Sequence, residues 1–106
     1  MRLSTRANKR LSRLVDDVAD NYRGREADIV YDALIQDDTL VELVGAETAA
    51  ARAGDSLRNG DDWERDLERT HSLTAEDHLG RAAHSYALER AEREVAAARE
   101  HEAIQL

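Results

Sequence analysis

Residues 2–36 read RLSTRANKRLSRLVDDVADNYRGREADIVYDALIQ, and the predicted fold depends on how this stretch is divided. Over residues 1–7, Arg2, Ser4 and Arg6 alternate with Met1, Leu3, Thr5 and Ala7. In a β-strand, this alternation would place the two sets on opposite faces. From residue 9 to about residue 22 the apolar side chains recur at helical spacing instead. The pattern therefore predicts one short strand followed by a helix, with Asn8 as the helix N-cap.

A glycine turn and a second helix are predicted next. RGR at residues 23–25 interrupts the first helix, because Gly24 suits a helix C-terminus or a tight turn. The second helix is expected to start near Glu26, where negative charge in the first turn is favourable. Its apolar stripe consists of Ile29, Val30, Ala33 and Leu34.

The remainder is expected to be helical with a linker. A further apolar piece is predicted to end at Gly45, and GDSLRNGDDW at residues 54–63 is the best linker candidate. A short helix follows from Trp63, with Trp63 and Leu67 on one face, and Thr74 is a plausible cap for the longest helix, residues 75–101. The stripe of that helix is mostly alanine, which packs closely but stabilises weakly per residue.

The order strand, helix, glycine turn, helix, with a basic strand, resembles the ribbon-helix-helix family of DNA-binding regulators. The matching residues are 2–36, and ADIVYDAL at residues 27–34 is the closest match to the family's second helix. The resemblance implies a mainly α fold with one short β-strand per chain, paired across a homodimer, and a helical C-terminal extension. The corresponding domains are residues 1–45, a connecting segment 46–62, and the extension 63–106.

The resemblance also implies which residues contact double-stranded DNA. In the family, the paired strands enter the major groove and alternate side chains point to the bases. Here those side chains are Arg2, Ser4 and Arg6, and arginine and serine can both bond to base edges. Phosphates would be held near the start of the second helix, where backbone N–H groups are free. The expected phosphate contacts are Lys9, Arg10, Arg13, Arg23, Gly24 and Arg25.

The charge distribution fits contact with a polyanion. Residues 1–25 carry seven basic and three acidic side chains, whereas residues 26–106 carry eight basic and twenty acidic ones. The formal net charge of the chain is -8. A basic end on an acidic body is typical of nucleic-acid binding. Lys9 is the sole lysine. Abundant carboxylates with scarce lysine are also typical of a protein adapted to high intracellular salt, which would explain much of the acidity.

Other chemistry has little support in the sequence. The chain has no cysteine, and no two of its histidines are three or four residues apart, so no metal site or cofactor is predicted. No nucleophile motif or phosphate-binding loop is found, and the paired carboxylates are too common to indicate a catalytic site, so an enzyme is not expected. No apolar run reaches membrane-spanning length, and a cytoplasmic protein is expected.

Three further interpretations stay open, besides residues 1–7 being a solvated basic tail before an ordinary helical hairpin. The first is a helical oligomeric scaffold, adaptor or virion protein that assembles through its C-terminal helix and has no DNA role. The second concerns residues 63–106, which, by resemblance to antitoxin-like regulators, would bind a protein partner or widen the dimer interface. The acidic segment from Glu26 onward is also a candidate mimic of nucleic acid.

Overall fold

A computed structural model describes residues 3–56 and 63–105 of the chain. No β-strand occurs in these residues, so the predicted ribbon-helix-helix strand is wrong, whereas the mainly helical class fits. The four helices found there are α1 (Thr5–Ala19), α2 (Arg25–Ile35), α3 (Asp38–Ser56) and α4 (Trp63–Gln105).

Helix α1 begins where the strand was expected. Ser4 is its N-cap, and the Ser4 Oγ accepts a hydrogen bond from the Ala7 backbone N–H at 3.2 Å. Asn8, the predicted cap, lies inside the helix, and its backbone N–H donates to the Ser4 carbonyl at 2.9 Å. Leu3, Ala7 and Leu11 are spaced four apart, so the alternating stretch also fits a helical stripe. Since Ala7 and Leu11 are buried and Leu3 packs against the core, packing on this face favours the helix.

The predicted glycine turn separates α1 from α2. Gly24 has a φ of 59°, a backbone conformation that glycine adopts at little cost. Helix α2 begins at Arg25, one residue before the predicted Glu26. Val30 and Leu34, from the predicted apolar stripe, are both fully buried.

Helices α3 and α4 are longer than predicted. Gly45 does not end a helix but lies within α3, where a Cβ would be 3.5 Å from Leu3 Cδ2. Residues 54–56 of the predicted linker belong to α3, and the linker positions 57–62 lie outside the described residues. The Thr74 hydroxyl donates to the Thr70 carbonyl at 2.8 Å instead of capping a new helix. The short and long helices predicted here are therefore one helix, α4.

Helix α4 runs the length of an elongated molecule measuring 66 × 21 × 21 Å. Helix α3 runs antiparallel along the middle of α4, with Gly54 against Leu73 and Glu47 near Gly80. Helix α2 runs antiparallel along its second half, with Arg25 paired to Glu102. Helix α1 contacts all three others and so covers the α2–α3 junction.

The core is asymmetric in side-chain size. Larger fully buried side chains come from the first three helices, among them Leu14, Leu34 and Leu40. Helix α4 contributes small ones at a spacing of four residues: Ala83, Ala87, Ala91 and Val95. Because small side chains let helix axes approach closely, one long helix can serve as the common support for the other three.

Candidate association surface

The described residues among those predicted to contact DNA are dispersed from the N-cap of α1 to the first residue of α2. Arg2 lies outside the described residues. The Ser4 side chain caps α1. Ser4 and Arg6 therefore do not share the outward face of a strand. Arg23 and Gly24 lie beyond the other end of α1, a helix of 15 residues and about 22 Å. The strand geometry that defined this group of residues is therefore not present.

Several of the same basic side chains form ion pairs with acidic residues further along the chain. Arg6 Nη1 is 3.0 Å from Asp55 Oδ2, and Arg10 Nε donates to both carboxylate oxygens of Glu47 at 3.2 Å. Arg25 pairs with Glu102 at 3.3 Å.

Lys9 and Arg13 are exposed on the outer face of α1, on a surface that Asp16 and Asp17 share. The outer face of α1 therefore carries both signs of charge.

A groove of about 690 Å³ lies between α1, α3 and α4. Arg10 and Arg81 line it together with Glu47, Glu76 and Asp77. Arg81 is paired with Asp77 at 3.3 Å, so the charges largely satisfy one another. No group of three or more metal-ligating side chains occurs in the part of the chain that the structure describes. The groove thus has no distinctive ligand chemistry.

Polar side chains join the α2–α3 junction to α4. Asp37 precedes α3, and its Oδ1 accepts from the Leu40 backbone N–H at 3.0 Å, in the manner of an N-cap. The Asp37 Oδ2 accepts from the Tyr86 hydroxyl at 2.7 Å and lies 3.7 Å from Arg90 Nε. The hydrogen bond to Asp37, together with burial, raises the pKa of Tyr86. Arg90 also reaches Glu94 at 2.7 Å. This cluster, the Asp37 junction, positions α2 and α3 on α4.

A second polar contact ties the start of α2 to the end of α4. Arg99 Nε and Nη2 donate to the two oxygens of Glu26 at 2.7 and 2.9 Å. This bidentate hydrogen bond lowers the pKa of Glu26 and raises that of Arg99. Both clusters join α4 to the other helices, and the carboxylates of Asp37 and Glu26 are bonded to groups of the same chain. The buried Arg90 Nε has no hydrogen-bond partner among the described residues.

The start of α4 exposes large apolar side chains that are close together in the sequence. Trp63, the only tryptophan, is 69% exposed, Leu67 is 50% exposed and Leu73 is 46% exposed. All residues from 63 to 68 are exposed. Gly54, near the end of α3, contacts Leu73. The turns of α4 that precede Leu73 therefore extend beyond the end of α3.

Two threonines extend this apolar surface. The Thr70 hydroxyl donates to the Asp66 carbonyl at 2.8 Å, and the Thr74 hydroxyl donates to the Thr70 carbonyl at the same distance. With each hydroxyl bonded to its own helix, both exposed threonines can present their methyl groups outward. Trp63, Leu67, Thr70 and Thr74 are spaced by four, three and four residues, so they share one face, which we call the Trp63 stripe.

The Trp63 stripe faces away from the core. At about 100° per residue, Leu67 and the buried Ala83 are separated by roughly 160° around the α4 axis. The stripe is thus exposed, and it lies on the side of α4 opposite to the face that α3 covers further along the helix. The sequence placed Trp63 and Leu67 on one face of a helix but did not indicate that this face is uncovered. The available indication was that Trp63 and Leu67 are out of phase with the alanine stripe of α4.

The four histidines, none of which was predicted to bind a metal, are exposed along α4. Within residues 3–56 and 63–105, no helix combines the length and apolar character needed to cross a membrane. Comparison of the chain with protein-family models, curated proteins and solved structures finds no match.

Proposed function

We propose that the protein is a helical scaffold or adaptor that associates with a second copy of itself through the Trp63 stripe. The observation that carries the proposal is the exposure of the only tryptophan and of Leu67 on the uncovered face of α4. Exposed apolar side chains that lie together, rather than singly, are characteristic of association sites. Aromatic anchors such as tryptophan are also enriched among the residues that dominate interface energies.

The exposed area supports a weak dimer. If tryptophan can bury about 250 Å², burial of the exposed 69% of Trp63 is worth about 4 kcal/mol. Leu67, 50% exposed, adds about 1 kcal/mol. Two copies would then gain about 10 kcal/mol, against an association cost of about 4–15 kcal/mol. We expect a dissociation constant of about 40 µM or weaker.

Salt should affect this association differently from DNA binding. Hydrophobic association is maintained or strengthened by salting-out ions such as sulfate. DNA binding by phosphate contacts weakens steeply as salt rises. The ribbon that was predicted to read DNA is replaced by α1, so DNA binding by that route is not proposed.

The test is sedimentation velocity over a concentration series with a matched pair of variants. We expect the parent protein to self-associate and Leu67→Glu to be monomeric, because the new charge would lie within the stripe. Ile104→Glu is the control, since Ile104 is 78% exposed at the other end of the same helix. It adds the same charge and should associate like the parent. Equal association by Leu67→Glu and the parent, or a parent that remains monomeric up to about 1 mM, would refute the proposal.

A further inference from the structure

Resting on the proposed self-association, we infer that the two α4 segments pair antiparallel, with their Trp63 stripes in contact. In this register Trp63 packs against Thr74 of the second copy, and Leu67 packs against its Thr70. The dimer is then a short two-helix seam between the ends of two elongated molecules.

The spacing of the stripe matches such a seam. Intervals of four, three and four residues are the intervals between successive core positions of a coiled coil. In the proposed register the four layers contain only tryptophan, leucine and the two threonines. The overlap covers residues 63–74, about 18 Å of helix.

Charge argues against the parallel alternative. The next two seam positions after Thr74 are Asp77 and Arg81, both exposed. A parallel pair would place each of them opposite its own copy, which brings like charges together within the seam. The antiparallel register leaves both residues outside the four layers.

The shape of the molecule gives a second argument for the antiparallel pair. The stripe lies at one end of a molecule 66 Å long, and each chain carries a formal net charge of -8. A parallel pair would hold two acidic bodies side by side. The antiparallel pair points them in opposite directions, which reduces their repulsion beyond the screening distance of about 10 Å.

The test is an intermolecular distance from a single labelled site. The chain has no cysteine, so Ser85→Cys provides one attachment point on the exposed surface of α4. In the proposed register the two labels are separated by 33 residues of helical rise, or about 50 Å. Energy transfer or pulsed electron resonance on the dimer would measure this distance, with label on Ser85→Cys/Leu67→Glu as the monomeric control.

Each outcome has a distinct meaning. A distance near 50 Å supports the inference. A distance near about 40 Å would mean a register shifted by one heptad, with Leu67 against Asp77, and would refute the stated register. A distance within about 20 Å would mean a parallel pair, which refutes the inference while leaving self-association intact. No intermolecular signal at concentrations where the parent was expected to associate would refute the proposed function as well.

Discussion

Replacing Asp37 by alanine should destabilise the fold by much more than an ordinary surface substitution. The Asp37 side chain is only 7% exposed and has two partners, the Leu40 backbone N–H and the Tyr86 hydroxyl. Loss of an N-cap costs about 1 kcal/mol. Loss of a hydrogen bond to a charged group costs about 1.5–3 kcal/mol. We therefore expect Asp37→Ala to lower the free energy of unfolding by about 3 kcal/mol, since Arg90 also loses its nearby carboxylate.

The measurement is urea unfolding followed by circular dichroism, with three companion variants. Asp37→Asn retains a capping oxygen and should cost about 1 kcal/mol. Tyr86→Phe removes the hydroxyl alone, and its effect should be non-additive with that of Asp37→Asn, because the two groups share one hydrogen bond. Asp38→Ala is the matched control, since the neighbouring carboxylate is exposed. If Asp37→Ala costs no more than Asp38→Ala, the reasoning about this junction is refuted.

The pH dependence of the same contact has a definite sign. Because the pKa of Tyr86 is raised in the folded protein, this group contributes stability that is fully present below its unfolded value of about 10. That contribution is lost as the pH rises through the folded pKa. The alkaline fall in stability should thus be shallower in Tyr86→Phe than in the parent.

Three other predictions concern different parts of the molecule. Ser4→Ala should cost about 1 kcal/mol of stability in urea unfolding, because Ser4 caps α1; no loss would count against the cap. Ala87→Leu should cost about 1–3 kcal/mol by overpacking the fully buried face of α4, whereas Ala97→Leu, on an exposed face, should be near neutral. Because the pKa of Glu26 is lowered, its ion pair with Arg99 stabilises above about pH 4.5 and is lost as the pH falls through the folded pKa. Glu26→Gln should make the acid limb of a stability–pH curve shallower, and an unchanged curve would contradict this.

Helical periodicity predicted the covered faces well. The expected stripe of α1 includes Leu11, Leu14, Val15 and Val18, all of which are buried. These positions were accessible from sequence because burial on one side of a helix imposes a period near 3.6 residues. The ends of the helices were predicted less well. A helix can continue through a residue type that usually ends helices if a neighbouring side chain packs against that residue. Gly45 is such a position, since Leu3 packs against it.

The strand was predicted wrongly because residues 1–7 are too short to separate the two periods. An alternating pattern and a helical stripe both place Leu3 and Ala7 on the same side. What decides between them is the continuation to Leu11, together with the capping of α1 by Ser4. The association surface could not be predicted for a related reason, since whether Trp63 is covered depends on where α3 ends in space.

The charge asymmetry of the chain has a counterpart inside the fold. Arg6 and Arg10 from the basic N-terminal region pair with Asp55 and Glu47 of the acidic body. The Arg6–Asp55 pair is exposed and contributes at most about 1 kcal/mol, whereas the Arg10–Glu47 pair is partly buried, with the Glu47 side chain 13% exposed. They do favour one placement of α1 on α3, because a shifted helix would leave the arginines beside the wrong partners. Part of the basic charge at the N-terminal end is therefore paired with acidic residues of the same chain.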